Sequence, residues 1–177
     1  MILSALLLAG CLLWALGELI LLVSGQITVL GGTIATLGLM SVSAGIFALK
    51  DLPGMQKPGR VGIVLTAFGA LSFAMVMIII LTSGVLGAMA QGAVRHADMV
   101  FTPFYLLALA FLVSGLVALA IHFRSRPDGR LWAALASGLA IVHLARLFGA
   151  DAAALHELAG LALALYLGAL GIKTLRR

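Results

Sequence analysis

Residues 2–23 read ILSALLLAGCLLWALGELILLV, an apolar run in which Glu18 is the only charged residue. About 20 consecutive apolar residues are enough to cross the hydrocarbon core of a bilayer as a helix. The letters LAGC at residues 8–11 match a bacterial lipoprotein cleavage box, but no Lys or Arg precedes them and the apolar run continues beyond them. A signal peptide has a basic start and a polar continuation. The stretch therefore predicts a first membrane helix.

The whole chain has the same apolar character. Of its 177 residues, 63% are hydrophobic and 10% are charged, whereas an ordinary soluble domain has about 25% charged residues. The mean hydropathy is +1.23. This balance excludes a soluble globule and a disordered chain, and a single cysteine excludes a disulfide scaffold. We predict an all-α membrane protein with one transmembrane domain over residues 1–177.

Six apolar segments, separated by short connections rich in polar residues, Gly and Pro, predict a six-helix bundle. The expected helices are residues 2–23, 27–49, 61–83, 102–123, 131–148 and 154–172. Pro58 and Gly59 are interpreted as part of a loop, and Pro103 as the first turn of the fourth helix.

Basic residues predict the orientation of this bundle. With both termini cytoplasmic, nine Lys and Arg residues fall on the inner side and only Arg95 and Arg146 on the outer side. The inner set is Lys50, Lys57, Arg60, Arg124, Arg126, Arg130, Lys173, Arg176 and Arg177. Because cytoplasmic loops carry the excess of Lys and Arg, we predict a multi-pass protein of the bacterial inner (plasma) membrane with both termini cytoplasmic.

An internal similarity links residues 43–71 with residues 113–141 at a constant offset of 70 positions. The identical pairs are Gly45/Gly115, Ala48/Ala118, Leu49/Leu119, Gly59/Gly129, Arg60/Arg130, Leu65/Leu135 and Ala70/Ala140. Two helices and the loop between them are thus predicted to be duplicated in the same orientation, about an axis along the membrane normal. The alternative is chance identity between helices rich in Ala, Leu and Gly.

Glycine spacing predicts how the helices pack. Glycines recur every seven residues at Gly10/Gly17, Gly31/Gly38/Gly45 and Gly62/Gly69. In lipid, small residues on one helix face let two backbones approach closely. These faces are expected to be packing surfaces within the bundle, and they could also serve a second copy of the chain or the helices of a partner protein.

The second repeat carries a family resemblance. Residues 113–142, VSGLVALAIHFRSRPDGRLWAALASGLAIV, combine a Ser-Gly-aliphatic helix end, a short basic loop and an aromatic helix start. This pattern, with a weaker version in residues 43–71, resembles the HdeD-like bacterial acid-resistance membrane proteins. The resemblance implies a six-helix inner-membrane protein built from repeats, connected with stress tolerance and with no established enzymatic activity. It carries over no functional residues.

Two ionisable residues, Glu18 and Arg146, lie at matching depths below the outer ends of their predicted helices. Ionisable side chains inside a membrane are costly and are candidates for function. The pair could form a proton or ion gate, or a salt bridge that only holds helices together.

Three histidines fall on or near the outer side: His143 on the same helix face as Arg146, His156 beside Glu157, and His96 in the preceding outer loop. Histidine changes charge between about pH 5 and 8. The three could respond to acidification of the periplasm, or they could be unrelated interfacial residues.

No cofactor, metal or nucleic acid is indicated. A metal would need three or four convergent ligands, and His143, His156, Glu157 and Asp151 are only a weak candidate set. His122 and His143 are predicted at different depths, which argues against a haem held by both. Arg124, Arg126 and Arg130 could contact anionic lipid headgroups of the surrounding bilayer. Motifs of soluble enzymes are missing from the sequence.

Three hypotheses follow for function. The first is a non-enzymatic stress or acid-tolerance protein that responds to pH through the outer histidines. The second is a small transporter or channel with Glu18, His143 and Arg146 along its path, which should show a polar cavity beside Glu18. The third is an accessory subunit of a larger membrane complex, which should present a glycine-lined face outward.

Overall fold

The computed structural model describes residues 1–25, 27–89, 94–146 and 153–175, and within these it leaves out the side chains of 84–89, 94–101 and 153. This part of the chain is helical and contains no strand. Its helices are α1 (Ile2–Ser24), α2 (Val29–Gly45), a short 3-10 helix (Ile46–Asp51) that extends α2, α3 (Lys57–Met89), α4 (Val94–Arg124), α5 (Arg130–Ala145) and α6 (Ala153–Leu175).

Five of these helices are long and apolar enough to cross a membrane, which is consistent with the predicted all-α membrane class. The candidate spans are Ile2–Ser24, Val29–Asp51, Lys57–Ser83, Thr102–Arg124 and Ala154–Leu175. Helix α5 is also apolar but has only 16 residues. The exact number of crossings and the orientation of the bundle stay predictions.

Two predicted helix starts were wrong, and both involve proline. Helix α3 begins at Lys57, so Pro58 lies in its first turn, where a missing backbone N–H costs nothing. Helix α4 begins at Val94 and continues through Pro103. A proline inside a helix cannot donate to the carbonyl four residues earlier, yet the helix runs on both sides of it. The proline signal was given too much weight at both positions.

The regularly spaced glycines bring α1 and α2 into backbone contact. A methyl group on Gly38 of α2 would lie 2.6 Å from the Cα atom of Trp14 on α1, and one on Gly17 would lie 2.7 Å from the Cα atom of Ala35. On α3, a methyl group on Gly69 would lie 3.0 Å from the Cα atom of Leu112 of α4. The prediction that these glycines form packing surfaces is confirmed.

Antiparallel packing places the ends of α1, α3 and α5 together with the starts of α4 and α6, and all of these elements border one cavity. We call this end of the molecule the Glu18 end and the opposite one the His122 end. Helix α1 lies between α2 and α6, and α4 lies between α3 and α5, whereas α5 touches α6 only sparingly.

Candidate functional site

On α1, the carboxylate of Glu18 is held by two neighbours. The indole N–H of Trp14, one turn earlier on the same helix face, donates a hydrogen bond to Glu18 Oε1 at 2.7 Å. On the facing helix α6, a methyl group on Gly160 would lie 2.6 Å from the same oxygen. The carboxylate therefore lies directly against the backbone of α6, in a space that only glycine leaves open.

At the end of α5, two buried side chains bond to each other. His143 has no exposed surface and Arg146 is 9% exposed, and Arg146 Nη1 lies 2.9 Å from His143 Nδ1. Because a guanidinium can only donate hydrogen bonds, Nδ1 must be the acceptor and carry no proton. The neutral ring of His143 therefore carries its proton on Nε2.

Two aromatic rings lie next to the Arg146 guanidinium. Its Cζ atom lies 5.1 Å from the ring centre of Phe73 on α3 and 5.9 Å from that of Tyr105 on α4. These rings meet edge to face at 5.9 Å. Cation–π contacts of this kind partly replace the water that a buried guanidinium loses. Arg146 is thereby fixed between α3, α4 and α5.

The first turns of α6 supply two further polar groups. His156 Nε2 lies 2.9 Å from the hydroxyl of Tyr105, and their rings are stacked at 6.1 Å. Glu157 follows His156, and its Oε2 atom is buried without a hydrogen-bond partner among the described residues. The start of α6 is thus tied to α4 by His156 and keeps one free carboxylate oxygen on Glu157.

All of these residues line one cavity of about 510 Å³ at the Glu18 end. This volume falls within the range of about 300–1,000 Å³ that is typical of small-molecule sites. Polar groups enter the cavity from α1, α4, α5 and α6, and much of the apolar surface comes from α3. The apolar lining includes Phe73, Val76, Met77, Ile80 and Leu106. The cavity therefore suits a molecule with a small polar part and a larger apolar part.

Five of the six candidate residues from the sequence line this cavity: Glu18, His143, Arg146, His156 and Glu157. The sixth, His96, lies outside the residues whose side chains the structure describes. Glu18 and Arg146 attract each other, but they do not form an ion pair with a nitrogen–oxygen distance of 4.0 Å or less. Among the described residues, the ion pair within that distance is Arg126–Asp128. The expected salt bridge is thus replaced by separate partners, Trp14 for Glu18 and His143 for Arg146.

Within the described segments, no three His, Cys, Asp or Glu side chains form a group that could hold a metal ion. Asp151, part of the weak candidate set considered from the sequence, lies outside them. His122 and His143 are at opposite ends of the bundle.

Trp14, Tyr105 and Phe73 also line the site, although the sequence did not single them out as candidates. A signal existed for Trp14, since it lies four residues before Glu18 and so shares its helix face. Tyr105 and Phe73 gave no comparable signal, because their meeting with Arg146 depends on how α3, α4 and α5 pack.

The three arginines considered for lipid headgroups differ in their surroundings. Arg126 donates to the carbonyl oxygen of Pro53 at 2.6 Å and pairs with Asp128 at 3.5 Å, so it links two loops. Arg124 is exposed and borders a groove between α4 and α5. Arg130 is the exposed first residue of α5. Arg124 and Arg130 are thus better placed for lipid than Arg126.

A second buried histidine lies at the other end of the molecule. His122 has no exposed surface, and neither of its ring nitrogens has a hydrogen-bond partner within the described part of the chain. Its surroundings are apolar: the ring of Phe123 lies 5.0 Å away, and a methyl group on Gly59 would lie 2.8 Å from its Cγ atom. His122 is separate from the cavity and has the environment of a core residue.

Comparison with known proteins gives no assignment for this cavity: no family model, curated protein or solved structure matches the chain.

Proposed function

We propose that the protein is a multi-pass membrane protein that binds a small amphipathic solute in the cavity at the Glu18 end, as a carrier does. In this proposal the chain crosses the bacterial inner membrane six times, with both termini cytoplasmic, and the cavity opens toward the outer side. The observation that carries the proposal is the cavity itself, in which five ionisable side chains share about 510 Å³ with a largely apolar lining.

Two of the three hypotheses from the sequence receive less support than the transporter hypothesis. The pH-sensor hypothesis loses one of its three histidines, because an added proton on His143 would have to go to Nδ1, which accepts a bond from the Arg146 cation. An accessory subunit should present a glycine-lined face outward, but the glycines described at the crossings of α1 with α2 and of α3 with α4 are used inside the bundle; they are Gly10, Gly17, Gly38, Gly45, Gly62 and Gly69. The stress-tolerance role implied by the family resemblance stays a prediction.

Quenching of Trp14 fluorescence tests whether the cavity binds a solute. The chain has two tryptophans, and Trp14 lines the cavity while Trp132 lies near the other end beside Lys173. In the W132F protein, Trp14 is the sole indole. Three probes are titrated in turn: the uncharged decylubiquinone, the anionic bromododecanoate and the cationic bromododecyl-trimethylammonium.

A matched pair of variants separates binding in the cavity from partitioning into detergent. I80F extends a larger side chain into the cavity from α3, whereas I172F places the same side chain on a half-exposed position of α6. Neither change adds an indole, so Trp14 stays the sole fluorophore in the W132F background. We expect saturable quenching of Trp14 by at least one probe, its loss in I80F and its retention in I172F. Linear quenching by all three probes, unchanged in I80F, would refute the proposal.

A further inference from the structure

The cavity contains buried hydrogen-bonding atoms that the protein itself leaves unused. His143 Nε2 carries a proton, as argued above, and has no partner among the described residues, nor does Arg146 Nε. Glu157 Oε2 is an acceptor in the same condition. A buried polar atom without a partner costs about 1–3 kcal/mol. A ligand that accepts from the two donors, or donates to the acceptor, recovers this free energy.

The charges around the cavity select the ligand's head group. One guanidinium, Arg146, faces two carboxylates, Glu18 and Glu157. A cationic ligand would share the cavity with the Arg146 guanidinium, and an anionic ligand would share it with both carboxylates. In a low-dielectric site such contacts between like charges are costly. An uncharged head group that carries oxygen atoms avoids both penalties and still bonds to the free donors.

Shape and lining select the rest of the ligand. The aromatic groups Trp14, Phe73 and Tyr105 surround the polar atoms, and faces and edges of such rings favour a flat unsaturated ring. Leu106 lines the cavity and is also 50% exposed. The cavity therefore reaches the outer surface of the bundle beside α4, where an alkyl tail would pass into the lipid.

We infer that the solute is an uncharged, alkyl-tailed ring bearing carbonyl or hydroxyl groups, the chemical class of the isoprenoid quinones. This inference rests on the proposed function and narrows it. One ring carbonyl accepts from His143 Nε2–H and the second carbonyl accepts from Arg146 Nε–H, and in the reduced form a ring hydroxyl donates to Glu157 Oε2. Binding alone is proposed, with no electron transfer.

Affinities of the three probes in the W132F background test this inference. Decylubiquinone is expected to bind at least about tenfold more tightly than either charged probe, which corresponds to the loss of one charge-assisted hydrogen bond. H143L removes the Nε2–H donor and should weaken decylubiquinone about tenfold. H143Q, whose amide N–H₂ can take the place of Nε2–H, should stay within about threefold of the parent.

The outcomes separate the two proposals. Saturable binding of a charged probe that exceeds decylubiquinone overturns the ligand class but leaves the binding function standing. No saturable binding of any probe overturns both. Equal decylubiquinone affinity in H143L and the parent protein, with circular dichroism showing both folded, overturns the assignment of His143 as the donor. If H143L does not fold, H143F, which also lacks the Nε2–H donor, takes its place with the same expected loss and the same overturning result.

Discussion

Substitution of Gly38 by alanine is expected to disrupt the contact between α1 and α2. The new methyl group would lie 2.6 Å from the Cα atom of Trp14 and 2.8 Å from its Cβ atom, whereas carbon atoms at rest lie about 3.5–4.0 Å apart. The two helices must therefore separate by about 1 Å at this crossing. Because the obstacle is backbone, no side-chain rotation can relieve the contact.

The matched control is Gly138→Ala on α5. A methyl group there would have no neighbour within 4 Å, so this change adds only the higher helix propensity of alanine, about 1 kcal/mol. G38A gains the same propensity, and subtracting one variant from the other cancels it. The difference between them is the overpacking cost, about 1–3 kcal/mol.

Reversible unfolding in mixed micelles measures this difference. Wild type, G38A and G138A are titrated with sodium dodecyl sulfate, and helix content is followed by circular dichroism. We expect G138A to be as stable as wild type or more stable, and G38A to be less stable than G138A by about 1–3 kcal/mol. Equal unfolding free energies for the two variants would refute the close approach of α1 and α2.

Three further changes have defined outcomes. R126A removes an exposed ion pair and a bond between two loops, and should cost less than about 1 kcal/mol in the same titration; a larger loss would show that this contact holds the bundle together. H122L removes two buried nitrogens without partners and should raise the unfolding free energy by about 1–2 kcal/mol, so a lower value would contradict the assignment of His122 as a core residue. G160A displaces the Glu18 carboxylate and should weaken saturable quenching of Trp14, whereas G168A, whose methyl group would meet its nearest neighbour at an ordinary 3.5 Å, should not; equal effects would argue against a role for Glu18 in binding.

Helix content and packing faces were accessible from the sequence because each depends on local or periodic information. Long apolar runs specify membrane helices through the cost of an unpaired backbone in lipid. Glycines seven residues apart specify a small face whatever its neighbour is. The starts of α3 and α4 were missed because proline has opposite effects in the first turn and in the interior of a helix.

Most ionisable members of the site could also be predicted from the sequence, since charged and imidazole side chains are rare in such a chain and each is conspicuous. Which of them pair with each other could not be predicted. Glu18 and Arg146 were expected to meet, but partner choice depends on the rotation of each helix about its axis. That rotation is set by backbone contacts such as Gly160 against Glu18. It also decides that Phe73 and Tyr105 lie beside Arg146, which no spacing in the sequence indicates.

The short length of α5 has a consequence for the bilayer around the protein. At about 1.5 Å per residue, its 16 residues extend about 24 Å, less than the hydrocarbon thickness of about 30 Å. A helix with this hydrophobic mismatch makes the adjacent lipid thin or draws its polar end below the headgroups. In the proposed six-span arrangement α5 crosses the bilayer and its polar end carries His143 and Arg146, so we expect the membrane to be thinner beside the cavity. Lipids with shorter acyl chains should therefore ease the entry of a solute on the α5 side.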